Sequence, residues 1–181
     1  MRILKNESLG LIIDMQEKLY PFIYDNELLT KNTNILIEGL KILQIPILVT
    51  QQYTKGLGDT IEALKTTIGE YKHYEKISFS CCDDEKFMTK LNTFNKRKNV
   101  IIAGIESHVC VLQTTIDLIE KGFIPVIIED CISSRTLNNK NIAINRMRKE
   151  GAIISTYESI LFELCRFSGN EIFKAISKLV K

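Results

Sequence analysis

Short, uninterrupted apolar runs alternate along this chain with longer segments in which apolar residues recur every three or four positions. Residues 9–13, 46–50, 100–103, 124–128 and 152–155 are strand-sized. An apolar run without polar alternation suits a strand buried on both faces. Between these runs, Leu29, Leu36, Leu40 and Leu43, with Thr33 in the same stripe, predict an amphipathic helix. Residues 61–68 predict a short helix, and residues 73–80 a short strand with its exit loop. Asp83 or Asp84 is placed to cap a helix with the stripe Phe87, Leu91 and Phe94. Val109, Leu112, Ile116 and Ile119 predict a further helix that stops at Gly122. Such alternation predicts an α/β fold, a mostly parallel sheet covered by helices on both sides. In that architecture ligands bind at the carboxyl ends of the strands, where the strand order reverses.

At 181 residues the chain is one domain's worth, residues 1–181, with no linker, repeat or low-complexity stretch. Lys and Arg number 24 against 22 Asp and Glu, a net charge of +2, which gives no electrostatic footprint for nucleic acid or for an anionic membrane. No stretch approaches the ~20 apolar residues of a bilayer span. The opening residues lack the pattern of a signal peptide, so a cytoplasmic location is expected. The five cysteines are then expected as free thiols in a reducing compartment.

Inspection of the predicted strand ends yields Asp14 after the first, Gln51, Gln52 and Tyr53 after the second, and Lys76 at the third. Gly104 ends the fourth, with Cys110 at the start of the next helix, and Glu129, Asp130 and Cys131 follow the fifth. Cys110 is the best nucleophile candidate, because a helix start favours thiolate over thiol; simple burial is the competing reading. Cys131 has two carboxylates beside it, which oppose ionisation. Cys81 and Cys82 carry no mark of a catalytic pair, and Cys165 looks structural. For Asp14 taken alone a helix cap or turn residue is the commoner reading, and for Lys76 a solvated lysine is the default. Metal binding has little support: only His73 and His108 are present, without ligand spacing. A glycine-rich dinucleotide loop after the first strand is absent.

Taken in order, Leu11-Ile12-Ile13-Asp14-Met15-Gln16, Thr50-Gln51-Gln52-Tyr53, Glu75-Lys76-Ile77-Ser78-Phe79-Ser80, Ala103-Gly104-Ile105-Glu106-Ser107-His108-Val109-Cys110-Val111, Asp130-Cys131-Ile132-Ser133-Ser134-Arg135 and Tyr157-Glu158-Ser159-Ile160-Leu161-Phe162 resemble the isochorismatase-like cysteine hydrolase superfamily over nearly the whole chain. The resemblance implies a three-layer α/β/α sandwich with six strands in the order 3-2-1-4-5-6, in which Asp14 and Cys110 face each other across the crevice between strands 1 and 4. It also implies an Asp14–Lys76–Cys110 triad. Cys110 attacks a carbonyl carbon, Asp14 takes and returns the proton, and Lys76 holds the Asp14 carboxylate. The oxyanion would be met by the backbone N–H groups of Glu106 and Cys110, with the Ile105–Glu106 peptide expected cis. Gln51, Tyr53 and Phe79 are the expected pocket residues.

The family's nicotinamidases carry an Asp-x-His metal motif where this chain has Gln51-Gln52-Tyr53, so neither metal nor other cofactor is expected. The expected partners are a small-molecule substrate and, from the resemblance and the surplus of apolar residues at Phe162, Leu164, Phe167 and Phe173, further copies of the same chain. With Cys110 present, hydrolysis of a small amide or carbamoyl C–N bond leads. A catalytically silent oligomeric scaffold and a vinyl ether hydrolase remain as alternatives.

Overall fold

The computed structural model describes residues 1–181. Six strands, β1 (Ser8–Ile13), β2 (Ile47–Gln52), β3 (His73–Lys76), β4 (Asn99–Ile105), β5 (Ile124–Ser133) and β6 (Ile153–Ser155), form one sheet in the order β3-β2-β1-β4-β5-β6. Every pairing is parallel, as the expected topology requires. The helices are α1 (Asn26–Ile42), α2 (Thr54–Leu57), α3 (Glu62–Ile68), α4 (Glu85–Asn92), α5 (Leu112–Glu120), α6 (Leu137–Glu150), α7 (Tyr157–Cys165) and α8 (Glu171–Leu179). No helix is long and apolar enough to cross a membrane.

Two cores flank the sheet, and the two-residue period of a strand sorts side chains between them. Ile12, Val49, Ile101, Ala103 and Ile105 pack with α1, α3, α7 and α8 through Leu36, Leu40, Leu64, Leu161 and Ile176. Leu9, Leu11, Ile13, Leu48, Val100 and Ile102 pack with α4, α5 and α6 through Phe87, Leu91, Leu118, Ile144 and Met147. The stripe predicted for α1 is buried throughout, Thr33 included. Its hydroxyl donates to the Leu29 carbonyl at 2.7 Å. Asp84 is the cap of α4, accepting from the Phe87 N–H at 2.7 Å. Of the surplus late aromatics, Phe162 and Phe173 pack on each other at 6.2 Å between ring centroids, and Phe167 stays exposed.

Two local predictions are corrected. The fifth strand runs on to Ser133, because its register against β4 shifts between Ile102↔Ile127 and Gly104↔Ile132. Glu129, Asp130 and Cys131 therefore lie within that irregular stretch rather than at a strand end. Cys131 points into the core and the Asp130 carboxylate accepts from the Tyr157 N–H at 2.9 Å. The fifth helix is preceded by a π-helical turn, Ser107–Val111. A π turn adds a residue to the cycle and rotates the helix that follows. The fully buried side of α5 is accordingly Leu112, Thr114, Thr115 and Leu118, while Ile116 and Ile119 are half-buried.

Gly104, near the end of β4, has φ of +132°. A Cβ there would sit 2.6 Å from the Ile13 nitrogen and closer still to the Ile13 carbonyl oxygen, which is rigid backbone of the neighbouring strand. The close approach of β4 to the end of β1 thus requires glycine. Gly104→Ala is expected to destabilise by more than about 3 kcal/mol, the upper range for overpacking a core. Gly122 also has positive φ, but a Cβ there meets nothing within 4 Å. Gly122→Ala should cost only about 1–2 kcal/mol of left-handed backbone strain. Urea midpoints of the two variants measure the difference.

Candidate active site

Thr50 and Gln52 follow Leu48 on the same face of β2, and Lys76 lies opposite Gln52 in the β2–β3 register. All three side chains therefore project on the α4–α6 side of the sheet, at its carboxyl edge. Asp14 ends β1 with φ of 50°, a left-handed turn that an aspartate tolerates better than most residues. The carboxylate turns back into the structure and is fully buried. Its Oδ2 pairs with Lys76 Nζ at 2.6 Å and its Oδ1 accepts from the Thr50 hydroxyl at 2.8 Å. Lys76 is 2% exposed and also donates to the Ser78 carbonyl at 3.1 Å. Burial is the largest influence and works against its charge, but the attractions led by Asp14 together outweigh it, and the ammonium is held above its ordinary pKa.

Cys110 lies within the π turn rather than at an α-helix start, and is 4% exposed. Its thiol donates to Gln52 Oε1 at 3.2 Å. Burial, followed by the negative charge of Asp14, pushes the Cys110 thiol well up, with Lys76 pulling only partly the other way. The thiolate preference expected from a helix start is thus reversed at rest: Cys110 is a protonated thiol beside a carboxylate. Lys76 and Asp14 meet as expected, and the charges of both act on Cys110.

The Ile105–Glu106 peptide is cis, as expected from the resemblance, and the Glu106 N–H donates to no protein acceptor. Two side-chain contacts tether this turn to the end of β5. Glu106 pairs with Arg135 at 2.8 Å, and His108 Nδ1 lies 3.0 Å from the Ser134 hydroxyl. Lys18, Leu19, Phe22, Glu106 and Arg135 line a groove of about 440 Å³ beside it.

The pocket residues fall differently from expectation. Gln51 points to the opposite face of β2 from Thr50 and Gln52. There its amide donates to Asp59 and Thr60 and accepts from Thr54, which fixes the loop after β2. Tyr53 and Phe79 are half-exposed, with 50% and 51% of their surface accessible. The Tyr53 N–H donates to the Lys76 carbonyl at 2.9 Å. Sequence reasoning left Thr50, Gln52 and Cys81 out of the site, although it placed Gln52 after the second strand. Strand alternation was the available signal for the first two, since only the even-numbered residues of β2 share the face of Leu48. Cys81 is buried, with its sulfur 3.8 Å from the Thr50 hydroxyl and its N–H donating to Thr114 Oγ1 at 2.9 Å. Nothing in the residues around it announced that contact. No group of three or more His, Cys, Asp or Glu side chains is arranged to hold a metal ion.

A sequence model of the isochorismatase domain matches residues 8–159. The secreted isochorismatase effector Isc1 of Phytophthora sojae is 34% identical over 99% of this chain and 87% of its own length. Isochorismatase domain-containing protein 2 of Danio rerio is 34% identical over 99% and 89%. Among solved structures, the MAR1 ribonuclease of Caenorhabditis elegans superposes with a TM-score of 0.92 at 37% identity, covering 99% of this chain and 92% of that one. The Escherichia coli ycaC gene product, described as an octameric hydrolase of unknown specificity, gives a TM-score of 0.92 at 24% identity over 99% and 89%. The site stands at the carboxyl edge of a fold shared with these proteins, and the chain belongs to the isochorismatase family of α/β hydrolases.

Proposed function

We propose that the chain is a cysteine hydrolase of a small amide or carbamoyl compound, with Asp14, Lys76 and Cys110 as its catalytic triad. The observation that carries this reading is the buried Lys76–Asp14 pair at 2.6 Å acting on a thiol that is protonated at rest. A neutral thiol needs a base, and a nearby carboxylate paired with an ammonium is one. In the first half-reaction the Cys110 proton passes to Asp14 while Sγ bonds to the carbonyl carbon. The π electrons of the carbonyl move to oxygen, which the backbone N–H groups of Glu106 and Cys110 receive. The C–N bond then breaks, and the leaving nitrogen takes the proton from Asp14. In the second half-reaction water gives a proton to Asp14 as its oxygen attacks the thioester or thiocarbamate. The C–S bond breaks and the sulfur recovers the proton. Lys76 stays charged throughout, holding Asp14 in place and stabilising negative charge as it appears on sulfur.

The nearly neutral composition, at +2, supports a small molecule rather than a polynucleotide as substrate. The ribonuclease name of the nematode relative belongs to that protein. Five free cysteines suit a cytoplasmic setting. A homo-oligomer is proposed from the octameric description of the bacterial neighbour and from the exposed Phe22 and Phe167, at 70% and 65%. No metal or other cofactor takes part in the proposed sequence.

Ammonia release from a panel of primary amides and carbamoyl compounds tests the reaction. For any substrate found, Cys110→Ala, Asp14→Asn and Lys76→Ala should each lower turnover by about three orders of magnitude or more, since groups that act as a unit fail together. A Cys110→Ala variant with full activity would exclude the covalent mechanism and leave the ether-hydrolysis reading alive. Absence of turnover across the panel, with no acylation of Cys110, would leave the scaffold reading.

The raised thiol predicts a second outcome. Alkylation of Cys110 by iodoacetamide should keep rising with pH past the ordinary thiol value of about 8.5, without a plateau below pH 9. At neutral pH, brief treatment should label the less buried Cys165 before Cys110. Peptide mapping after timed quenching measures both.

A further inference from the structure

A thiol has one proton and donates one hydrogen bond. In Cys110 that bond is given to Gln52 Oε1, at 3.2 Å, while the Asp14 carboxylate that is to receive the proton lies close by as a competing acceptor. The Asp14 oxygens each accept one donor, from Thr50 and Lys76, and each keeps a lone pair free for the thiol. The Gln52 amide is no loose surface group. Its residue is clamped by Gln16, whose Oε1 accepts the Gln52 N–H at 2.7 Å and whose Nε2 donates to the Gln52 carbonyl at 3.0 Å and to the Gly58 carbonyl at 2.8 Å. The Gln52 side-chain nitrogen reaches the Ile77 carbonyl at 3.4 Å, which leaves Oε1 toward the sulfur. Gln52 is only partly buried, so a bound molecule has access to it.

We infer that Gln52 is a substrate-operated latch. Its Oε1 holds the Cys110 thiol at rest, and an N–H of the bound substrate takes that acceptor over, releasing the thiol to turn to Asp14. This rests on the cysteine hydrolase reading above and narrows its substrate class to compounds with an N–H next to the scissile carbonyl: primary or secondary amides, ureido and carbamoyl groups. The competition is one-sided. S–H is a weak donor and an amide N–H a normal one, so a substrate with the N–H wins Oε1. An ester, ketone or tertiary amide brings no donor and leaves the thiol held. The exchange moves hydrogen bonds only; the covalent steps stay those already given.

Acrylamide and methyl vinyl ketone test the latch without a known substrate. They are nearly equal in shape and differ in –NH₂ against –CH₃ beside the carbonyl. Their rates of adduct formation on Cys110 are measured by peptide mass spectrometry, each divided by the rate of the same reagent with glutathione. The wild-type protein should favour acrylamide on this scale by roughly three- to tenfold. Gln52→Met, which keeps length but removes the acceptor, should bring the ratio to about one. Gln52→Glu, which keeps an acceptor oxygen, should retain the preference even if both reactions slow. Asp14→Asn, which removes the base to which the released thiol turns, should slow acrylamide more than methyl vinyl ketone and bring the ratio toward one. A wild-type ratio near one, or an unchanged ratio in Gln52→Met, overturns the latch while leaving Cys110 as the nucleophile. Folded protein whose Cys110 takes up neither reagent, although the denatured chain does, overturns the latch and the cysteine hydrolase reading together.

Discussion

Asp14 and Lys76 meet at 2.6 Å with almost no access to water. Taking two charges out of solvent costs several kcal/mol per ion, and their attraction repays this only when the geometry is good and the remaining polar atoms are satisfied. Here they are: Thr50 fills one Asp14 oxygen and the Ser78 carbonyl takes a further Lys76 proton. The pair is a poor source of stability, because an apolar pair of similar volume would do as well. It does supply a carboxylate and an ammonium in contact in a dry environment, with the ammonium held above its ordinary pKa. The fold serves to bring the ends of β1, β2 and β3 close enough for this pair to form.

That convergence follows from the strand order. With β1 between β2 and β4, the Asp14 carboxylate has the β2–β3 edge on one side and the turn after β4 on the other. The first side delivers Thr50, Gln52 and Lys76; the second delivers Cys110 and the Glu106 N–H. Gly104 lets the β4 end lie against Ile13 with no side chain between. The Glu106–Arg135 and His108–Ser134 contacts hold the turn from the β5 side. The components thus reach the site from β1, β2, β3 and the turn after β4, and local sequence alone fixes none of the distances between these elements.

This division explains what was legible in the sequence. The strands and the α1 and α4 stripes rest on local periodicity, so apolar spacing and the Asp84 cap were enough to place them. Asp14, Lys76 and Cys110 stood out because they follow strands, though only the family resemblance raised them above turn residue, surface lysine and buried thiol. Gln51 and Gln52 both read as residues that follow the strand, so sequence position alone gives no basis for preferring Gln51 in the pocket. The strand in fact extends through them, and the pleat sends them to opposite faces. The α5 stripe was misjudged because periodicity assumes 3.6 residues per turn, and a π turn breaks that count just where Cys110 sits. The state of the thiol was misread for a related reason. The helix-end argument counts local dipoles, whereas burial and the charge of Asp14, 96 positions away in sequence, outweigh them.

Cys81 sharpens what distinguishes a reactive thiol in this fold. Like Cys110 it lies near the Asp14–Lys76 pair, and like Cys110 its thiol is raised, first by burial and then by Asp14, to about 12. Electrostatics alone therefore do not single out the nucleophile. The difference lies in hydrogen bonding and access. Cys81 is wholly enclosed, and the Thr50 hydroxyl, already committed to Asp14 Oδ1, is its neighbour at 3.8 Å. Cys81 is 0% exposed, so an electrophile has no open path to its sulfur. Cys110 faces the partly open Gln52 instead, on the turn that carries the Glu106 N–H. In the proposed reaction a nucleophilic thiol shares the base with a route for substrate and a place for the developing oxyanion, which Cys81 lacks and Cys110 has.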